Sequence, residues 1–497
     1  MTDLLHRYQA DLGLAQAADI TVRPVSEGVL SSTLPVAALA VGAVAALGSA
    51  VDRFRVASGL TAPSPRVVVG DRVAASFAGD RLLRIDGRPV AGFAALSGFF
   101  RTADGWVRTH ANYPHHRARL LSLLELADDA DHTAVAAALL RHEALDVEER
   151  AAELGAIVVA VRTPDEWFGS APGRFTRSGP IVSSTVRPDG LPSLPEPPTD
   201  PMRPLVGVRV LDLTRVIAGP VATRDLALLG ASVLRVDSPL LPEIEAQHLD
   251  TGAGKYSTLL DVLVDDDDER LTALMSSVDV VVGGYRPGSY IDDHLRAHRP
   301  SGAIIGTVSA WGGRGPWARR RGFDSLVQAA SGIANMCGGK AGGRSDDGGK
   351  AGGRSDDGGK AGGRSDDGGK AGGRSDDGGK AGGRSDDGGT TGVPGALPVQ
   401  ALDHASGHLL AAGIVDALTQ RLDGGIGRTV SVSLARTAAW LLDADGRVDT
   451  PADPVLPTDE HTVLHDDVRT ARPALAEYDD HPFPARPWGC DEPRFPS

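Results

Sequence analysis

The stretch "VGVRVLDLTRVIAGPVATRDLALLGASVLRVD", residues 206–237, decides the fold. Val206 to Leu213 is a largely apolar run, interrupted by Arg209 and Asp212. Such a run suits a parallel strand covered on both faces. A helix-like segment follows from Ala222 to Leu229, and "ASVLRVD" then reads as a second strand. The alternation continues outward. "STLLDVL", "DVVVGGY" and "AIIGTVSAW" read as strands, and "DERLTALMSSV" and "FDSLVQAASGIANM" as helices. Farther on, His404 to Leu422 reads as a helix with Leu410, Ile414 and Leu418 on one stripe, stopped by Gly424 and Gly425. "TVSVSL" is another strand. The expected fold class is α/β: a doubly wound, Rossmann-like parallel sheet domain beside a smaller α+β domain.

The first 200 residues differ in pattern. "FFRTADGWVRTHANY" carries two strand-like runs around Asp104-Gly105, a hairpin signal. Helical patterns follow at Arg117 to Leu126 and Asp131 to Leu154. "EPPTDPMRP", Glu196 to Pro204, is rich in proline and marks a linker. The expected divisions are a mostly helical partial copy at 1–96, a small α+β domain at 97–195, and a linker at 196–204. They continue with the first part of the sheet domain at 205–337, a Gly-rich loop at 338–392, a helix with following strand and helix at 393–445, and an irregular segment at 446–497.

Composition narrows the function classes. The formal net charge is −14 and the acidic residues are dispersed, which argues against nucleic acid and anionic membrane as partners. Cys337 and Cys490 make neither a disulfide framework nor a metal-binding spacing, and a cytoplasmic location is expected. The longest uncharged apolar run, Leu34 to Val51, contains Pro35, Gly42, Gly48 and Ser49, and acidic Asp19 and Glu27 precede it. A buried helix is therefore expected there rather than a membrane span. The decapeptide "KAGGRSDDGG" occurs five times, from Lys340 to Gly389. It is charge-balanced and has no apolar residue larger than alanine, so a flexible, disordered loop is expected. A calcium-binding solenoid would need an apolar residue in every turn to pack. Five of the six lysines lie in this array, and the sixth is Lys255.

Generic site motifs are missing. The turn after the first strand is "TRVIAGP" rather than GxGxxG, and there is no GxxxxGK[ST], HExxH or GxSxG. His110, His115 and His116 cluster in sequence, but a zinc site needs a fourth ligand, and no metal is expected. Asp403 stands out within "LPVQALDHASGHLLAAG", residues 397–413. Two readings stand. An aspartate before a helix is a good N-cap. A carboxylate at a helix N-terminus is also stabilised in its ionised form and can be a covalent nucleophile. "LPVAALA", Leu34 to Ala40, repeats the lead-in with Ala40 in the place of Asp403.

Taken in order, "PLVGVRVLDLTRVIAGPVAT", "LGASVLRVD", "GAGKYSTLLDV", "DVVVGGYRPG", "RRGFDSLVQAASG", "ALDHASGHLLAAGIVDAL" and "GIGRTVSVSL" resemble the motifs of the family III CoA-transferases, over Pro204 to about Leu442. The resemblance implies acyl transfer through a covalent aspartyl intermediate, with acyl-CoA and a carboxylic acid as substrates and no tightly bound cofactor. It also implies a homodimer. Asp403 falls on the family's catalytic aspartate. Val216, Ala218, Lys255, Tyr285, Arg286 and Arg321 fall on or beside positions that meet CoA. Several positions depart from the family. Gly284 replaces an asparagine, Tyr256 replaces an arginine, and "SPLLPE" lacks the arginine often found there. "GFD" at 322–324 stands where the racemase branch has GHD, which argues against 2-methylacyl-CoA racemisation. Residues 97–190 resemble the family's small domain, which in the family follows the catalytic half. The chain then reads as two tandem copies, the first without its sheet and with Ala40 for its nucleophile. A non-catalytic acyl-CoA-binding scaffold is the alternative to the enzyme.

Overall fold

Residues 206–237 fold as strand, helix, strand in the computed structural model, which describes residues 3–15, 19–90, 92–190, 198–338 and 392–496. The decapeptide array and the start of the Pro-rich linker lie outside the described residues. Seven strands form the main sheet: β1 (Ser183–Gly190), β2 (Arg209–Leu213), β3 (Ser232–Asp237), β4 (Lys255–Leu259), β5 (Val280–Gly283), β6 (Ile304–Ser309) and β7 (Ile426–Ser433). Their order is β4-β3-β2-β5-β6-β7-β1. All neighbouring pairs are parallel except β7 with β1. The six parallel strands have the doubly wound order of nucleotide-binding folds, which reverses between β2 and β5. β5 is apolar throughout because helices cover both of its faces, and every residue in it is buried.

Four helices place the site: α1 (Val36–Ala57), α2 (Ala218–Leu228), α3 (Asp324–Ser331) and α4 (Ala401–Gly424). α2 starts four residues before the expected Ala222, since Pro220 is tolerated in a first turn, where a missing N–H costs nothing. The run "FDSLVQAASGIANM" breaks at Gly332, whose φ of 92° is left-handed, into α3 and a short helix at Ile333–Met336. α1 is the expected buried helix: among the described residues it alone is long and apolar enough to cross a membrane, and it lies inside the fold against α4. Arg53 of α1 holds Asp416 of α4 by two hydrogen bonds of 2.7 Å, so the pair is locked by charge as well as packing.

α1 and α4 begin alike. Pro35 has φ −76°, ψ 61°, and Gln400 has φ −74°, ψ 62°. Val36 N–H donates to Leu34 O at 2.8 Å, as Ala401 N–H does to Val399 O. This backbone match corrects the sequence pairing by two residues. Asp403 is the third residue of α4, and the third residue of α1 is Ala38, not Ala40.

The hairpin at Asp104-Gly105 forms, with Phe99–Arg101 antiparallel to Trp106–Thr109, and Val158–Ala160 adds a third strand. The expected helix at 131–154 is two helices, His132–Leu139 and Ala144–Leu154. The hairpin tip divides them: Ala103 N–H donates to His142 O, and Asp104 accepts the N–H of Ala144 at 2.8 Å. The segment 446–497 is not wholly irregular. Thr462–His465 and Val468–Ala471 form a hairpin whose second strand pairs with Arg84–Ile85. The hairpin joins the rest of the fold only across about 380 residues of chain, a pairing that no local pattern announces.

Candidate active site

Asp403 sits where two cavities meet. The first, of about 300 Å³, opens at the carboxyl ends of β2 and β5, the point of strand-order reversal where ligands of such sheets bind. Arg215, Val216, Ala218, Tyr285, Arg286 and Arg321 line it. The second, of about 290 Å³, lies on the other side, between α4 and the N-terminal segment. Asp403 lines both.

Asp403 is not a cap. The N-cap position of α4 is Gln400, whose own side chain makes no capping hydrogen bond. The Asp403 N–H donates to Asp324 Oδ2 at 2.9 Å. Gln328, one turn along α3, donates from Nε2 to Asp324 Oδ1 at 2.5 Å, and its Oε1 accepts the N–H of Leu397 at 2.9 Å. The chain leading into α4 is therefore pinned to α3 at two points. Burial pushes the Asp403 carboxyl well above the ordinary carboxylate range, and the neighbouring Asp324 carboxylate raises it further. Burial raises Asp324 as well, while its hydrogen bonds oppose that shift. Asp324 was singled out in the sequence only as the last residue of "GFD". The available signal was Asp324 with Gln328, a polar pair four apart on an otherwise apolar helix.

Gly407, one turn after Asp403, sets the approach of α4 to α2. A Cβ there would meet Ala218 O at 2.6 Å and the Val221 side chain at 2.9 Å. This contact brings the start of α2, where no side chain caps the backbone, to the first cavity beside Asp403. The positive end of a helix favours negative charge at that point. Just before it, Val216 has φ 72°, a left-handed conformation that costs a β-branched residue about 1–3 kcal/mol. Glu243 holds it there by accepting the Val216 N–H at 3.1 Å. Glu243 ends the "SPLLPE" segment. It also takes the Tyr113 hydroxyl at 2.5 Å and pairs with Arg235 at 3.0 Å, which ties the small domain to the sheet.

The first cavity is cationic. Arg286 and Arg321 lack a carboxylate partner among the described residues. Burial pushes Arg321 down to about 10, with Arg286 and Arg119 lowering it further. Uncompensated guanidinium groups held together in a cleft are the physical signature of an anion site. The small domain closes the cleft with Tyr113, His115 and His116. His110 stacks on Phe323 at 3.8 Å between ring centres, and burial pushes it down to about 3, so it is neutral.

Lys255 is the exception among the expected CoA contacts. The structure places it behind the first cavity, not in it. Its Nζ donates to Pro220 O and Thr223 Oγ1 at 2.7 Å and to Asp212 Oδ2 at 3.1 Å, and it is fully buried. Asp212 draws the ammonium inward because that carboxylate, buried in β2, has no route to water. Val216, Ala218, Tyr285, Arg286, Arg321 and Asp403 are brought together, and Lys255 is not.

The model of CoA-transferase family III matches residues 205–348 and 378–464. An acetyl-coenzyme A transferase of Hypoxylon pulicicidum is 39% identical over 155 residues, 30% of this chain and 26% of that protein. A probable fatty acyl-CoA transferase, Rv3272, of Mycobacterium tuberculosis is 27% identical over 263 residues, 49% of this chain and 54% of that protein. A succinyl-CoA:glutarate CoA-transferase of Mus musculus is 31% identical over 168 residues, 30% of this chain and 38% of that protein. A crystal structure of the Mycobacterium tuberculosis protein superposes with a TM-score of 0.34 at 27% identity, covering 48% of this chain and 57% of that one. The chain spans about a quarter to a half of the length of these curated relatives. Over residues 205–348 and 378–464, a little under half of its length, the chain is similar to CoA-transferase family III.

Proposed function

We propose that the protein moves CoA between an acyl-CoA and a carboxylic acid, with Asp403 as the covalent nucleophile. The observation that carries this reading is the position of Asp403 between a cavity lined by arginines and a second cavity without them. The thioester would extend its CoA part over Arg286 and Arg321 and its acyl group past Asp403. The Asp403 carboxylate attacks the thioester carbonyl carbon, and the C–S bond breaks to release CoA thiolate. This leaves a mixed anhydride between the acyl group and Asp403. The incoming carboxylate attacks the donor acyl carbonyl of that anhydride and takes the acyl group, which frees Asp403. CoA thiolate then reacts with this second anhydride to give the new thioester and the leaving acid. An alternative order, through an aspartyl-CoA thioester, balances equally and uses the same carboxylate.

The local groups suit these steps. Asp324 fixes the backbone of Asp403 and, by its own charge, raises the carboxyl's proton affinity, which makes the carboxylate a stronger nucleophile. The uncapped start of α2 supplies positive potential beside the carbon under attack. A racemase would need a second base facing Asp403; His110 is buried, stacked and weakly basic. A CoA-binding scaffold would keep the arginine cavity but would have no use for a strained, carboxylate-bearing junction. The two matching lead-in turns support a tandem origin, so that one chain supplies both the small domain and the sheet that flank the site. A cytoplasmic location and a homodimer remain part of this proposal.

The test is direct. Purified protein is incubated with an acyl-CoA and hydroxylamine, and Asp403 is examined by peptide mass spectrometry. A hydroxamate on Asp403, absent without acyl-CoA, is the expected result. CoA binding with no adduct under any acyl-CoA would return the protein to the scaffold reading.

A further inference from the structure

Val216, Ile217, Phe323 and Asp403 line both cavities. The place where the cavities meet is therefore bounded by Asp403 and by the turn at Val216 and Ile217. That turn is strained. Among the described residues five other than glycine have a left-handed φ, and Val216, at 72°, is the one β-branched side chain of the five. A strained backbone persists only where its surroundings hold it. Here one carboxylate does so. Glu243, whose side chain is 1% exposed, accepts the Val216 N–H at Oε2, 3.1 Å away, and Arg235 meets the same oxygen at 3.0 Å. Its Oε1 accepts the Ile244 N–H at 3.0 Å and the Tyr113 hydroxyl at 2.5 Å. Arg215 approaches both oxygens at 3.5 Å and lies over the Tyr113 ring, 5.2 Å from its centre. Burial opposes ionisation of Glu243, but Arg215 and Arg235 outweigh it and hold the carboxyl below the ordinary range. Tyr113 comes from the opposite side of the cleft, as the N-cap residue of the small-domain helix Pro114–Leu123.

We propose that Glu243 is a positioning residue for the Asp403 site, and that it holds the Val216 turn only while Tyr113 of the small domain gives it a hydroxyl. Affinity for CoA in the first cavity is thereby tied to docking of the small domain. The proposal rests on the CoA-transferase reading for the identity of the ligand. The linkage rests on the contacts of Glu243 alone. Tyr113 and Ile244 fix one carboxylate oxygen and Arg235 the other, which leaves the acceptor where the Val216 N–H needs it. Without the hydroxyl, Arg215 competes for the carboxylate. The Val216 N–H then loses its acceptor, the turn relaxes out of the left-handed region, and the wall facing Asp403 moves with it. The linkage is reciprocal: what CoA gains from a docked Tyr113, docking gains from CoA.

The experiment is calorimetric titration of the full chain with CoA, comparing Tyr113→Phe in three backgrounds: unaltered, Glu243→Gln and Val216→Gly. Tyr113→Phe removes only the hydroxyl. In the unaltered background it should weaken CoA binding about tenfold, the lower end for a hydrogen bond to a charged group. Glycine takes a left-handed φ without strain, so with Val216→Gly the turn no longer needs Glu243. In that background and in Glu243→Gln, Tyr113→Phe should change CoA affinity by less than about twofold. An equal loss in all three backgrounds means that Tyr113 acts on CoA directly or only stiffens the fold, and overturns the proposal. No loss in the unaltered background overturns it too. Circular dichroism checks folding, and if Glu243→Gln does not fold, the Val216→Gly background decides alone. Failure of the unaltered chain to bind CoA at millimolar concentration removes the transferase reading and the linkage together. CoA binding without the dependence on background removes the linkage alone.

Discussion

At the scale of single residues, Asp403 carries the chemistry and two neighbours set its properties. Asp403→Asn keeps the side-chain size but cannot form an anhydride, so turnover should fall by orders of magnitude. Its stability should not fall with it. A carboxyl whose folded pKa is raised contributes stability below its unfolded pKa, and that contribution is lost as pH rises through the folded value. The melting temperature of the wild type relative to Asp403→Asn should therefore decline from pH 4 to pH 8. Calorimetric scans across that range check the sign, and a difference that grows with pH would contradict the raised carboxyl. The acid limb of kcat/KM should lie above the ordinary carboxylate range for the same reason. Arg321→Ala should weaken CoA binding about ten- to a hundredfold, the loss shrinking at high salt, because one charge-assisted contact is worth roughly 1.5–3 kcal/mol. Lys255→Met should behave in the opposite way. It leaves Asp212 buried without its ammonium and should cost about 3–5 kcal/mol in urea unfolding, with CoA affinity of the folded protein unchanged.

At the scale of elements, the approach of α4 to α2 matters more than the composition of either helix. Gly407 permits it, and Gly407→Val should force the helices apart. Overpacking of this kind costs about 1–3 kcal/mol. Because α2 starts at the first cavity, kcat/KM should fall further than stability alone explains, and measuring both against Asp403→Asn separates the effects. The sequence showed α4 as a helix through its Leu410, Ile414 and Leu418 stripe, and its Gly425 stop holds in the left-handed conformation. It did not show that Asp403 lies in the third position rather than at the cap. That depends on the ψ of 62° at Gln400, which residue types near it do not fix. The length of α2 was missed for a related reason: Gly219 and Pro220 read locally as turn residues, and only packing against α4 makes them helical.

At the scale of the whole molecule, the residues that flank the array meet each other. Gly395 N–H donates to Ala334 O at 2.9 Å, and a Cβ on Gly338 would meet Val393 O at 2.4 Å. The residues that flank the array are thus side by side, so the contacts that close it are made outside the decapeptides. Deleting four copies should change stability by only about 1 kcal/mol, in the stabilising direction, from loop-closure entropy. Thermal unfolding of the shortened protein checks this; a loss of several degrees would show that the copies support the fold. The sequence by itself determined the doubly wound parallel sheet and singled out the arginines and the aspartate that line its first cavity. Those rest on local periodicity and on the ordered motifs from Pro204 to Leu442. The tertiary structure alone decided what faces what. It buried Lys255 against Asp212, paired α1 with α4, and set Asp324 behind Asp403. It also brought Asp80 and Asp250, 170 residues apart, to one cavity. Side-chain environment depends on contacts between distant segments, and a hydrophobic period records only which face is inside, not which neighbour it meets there.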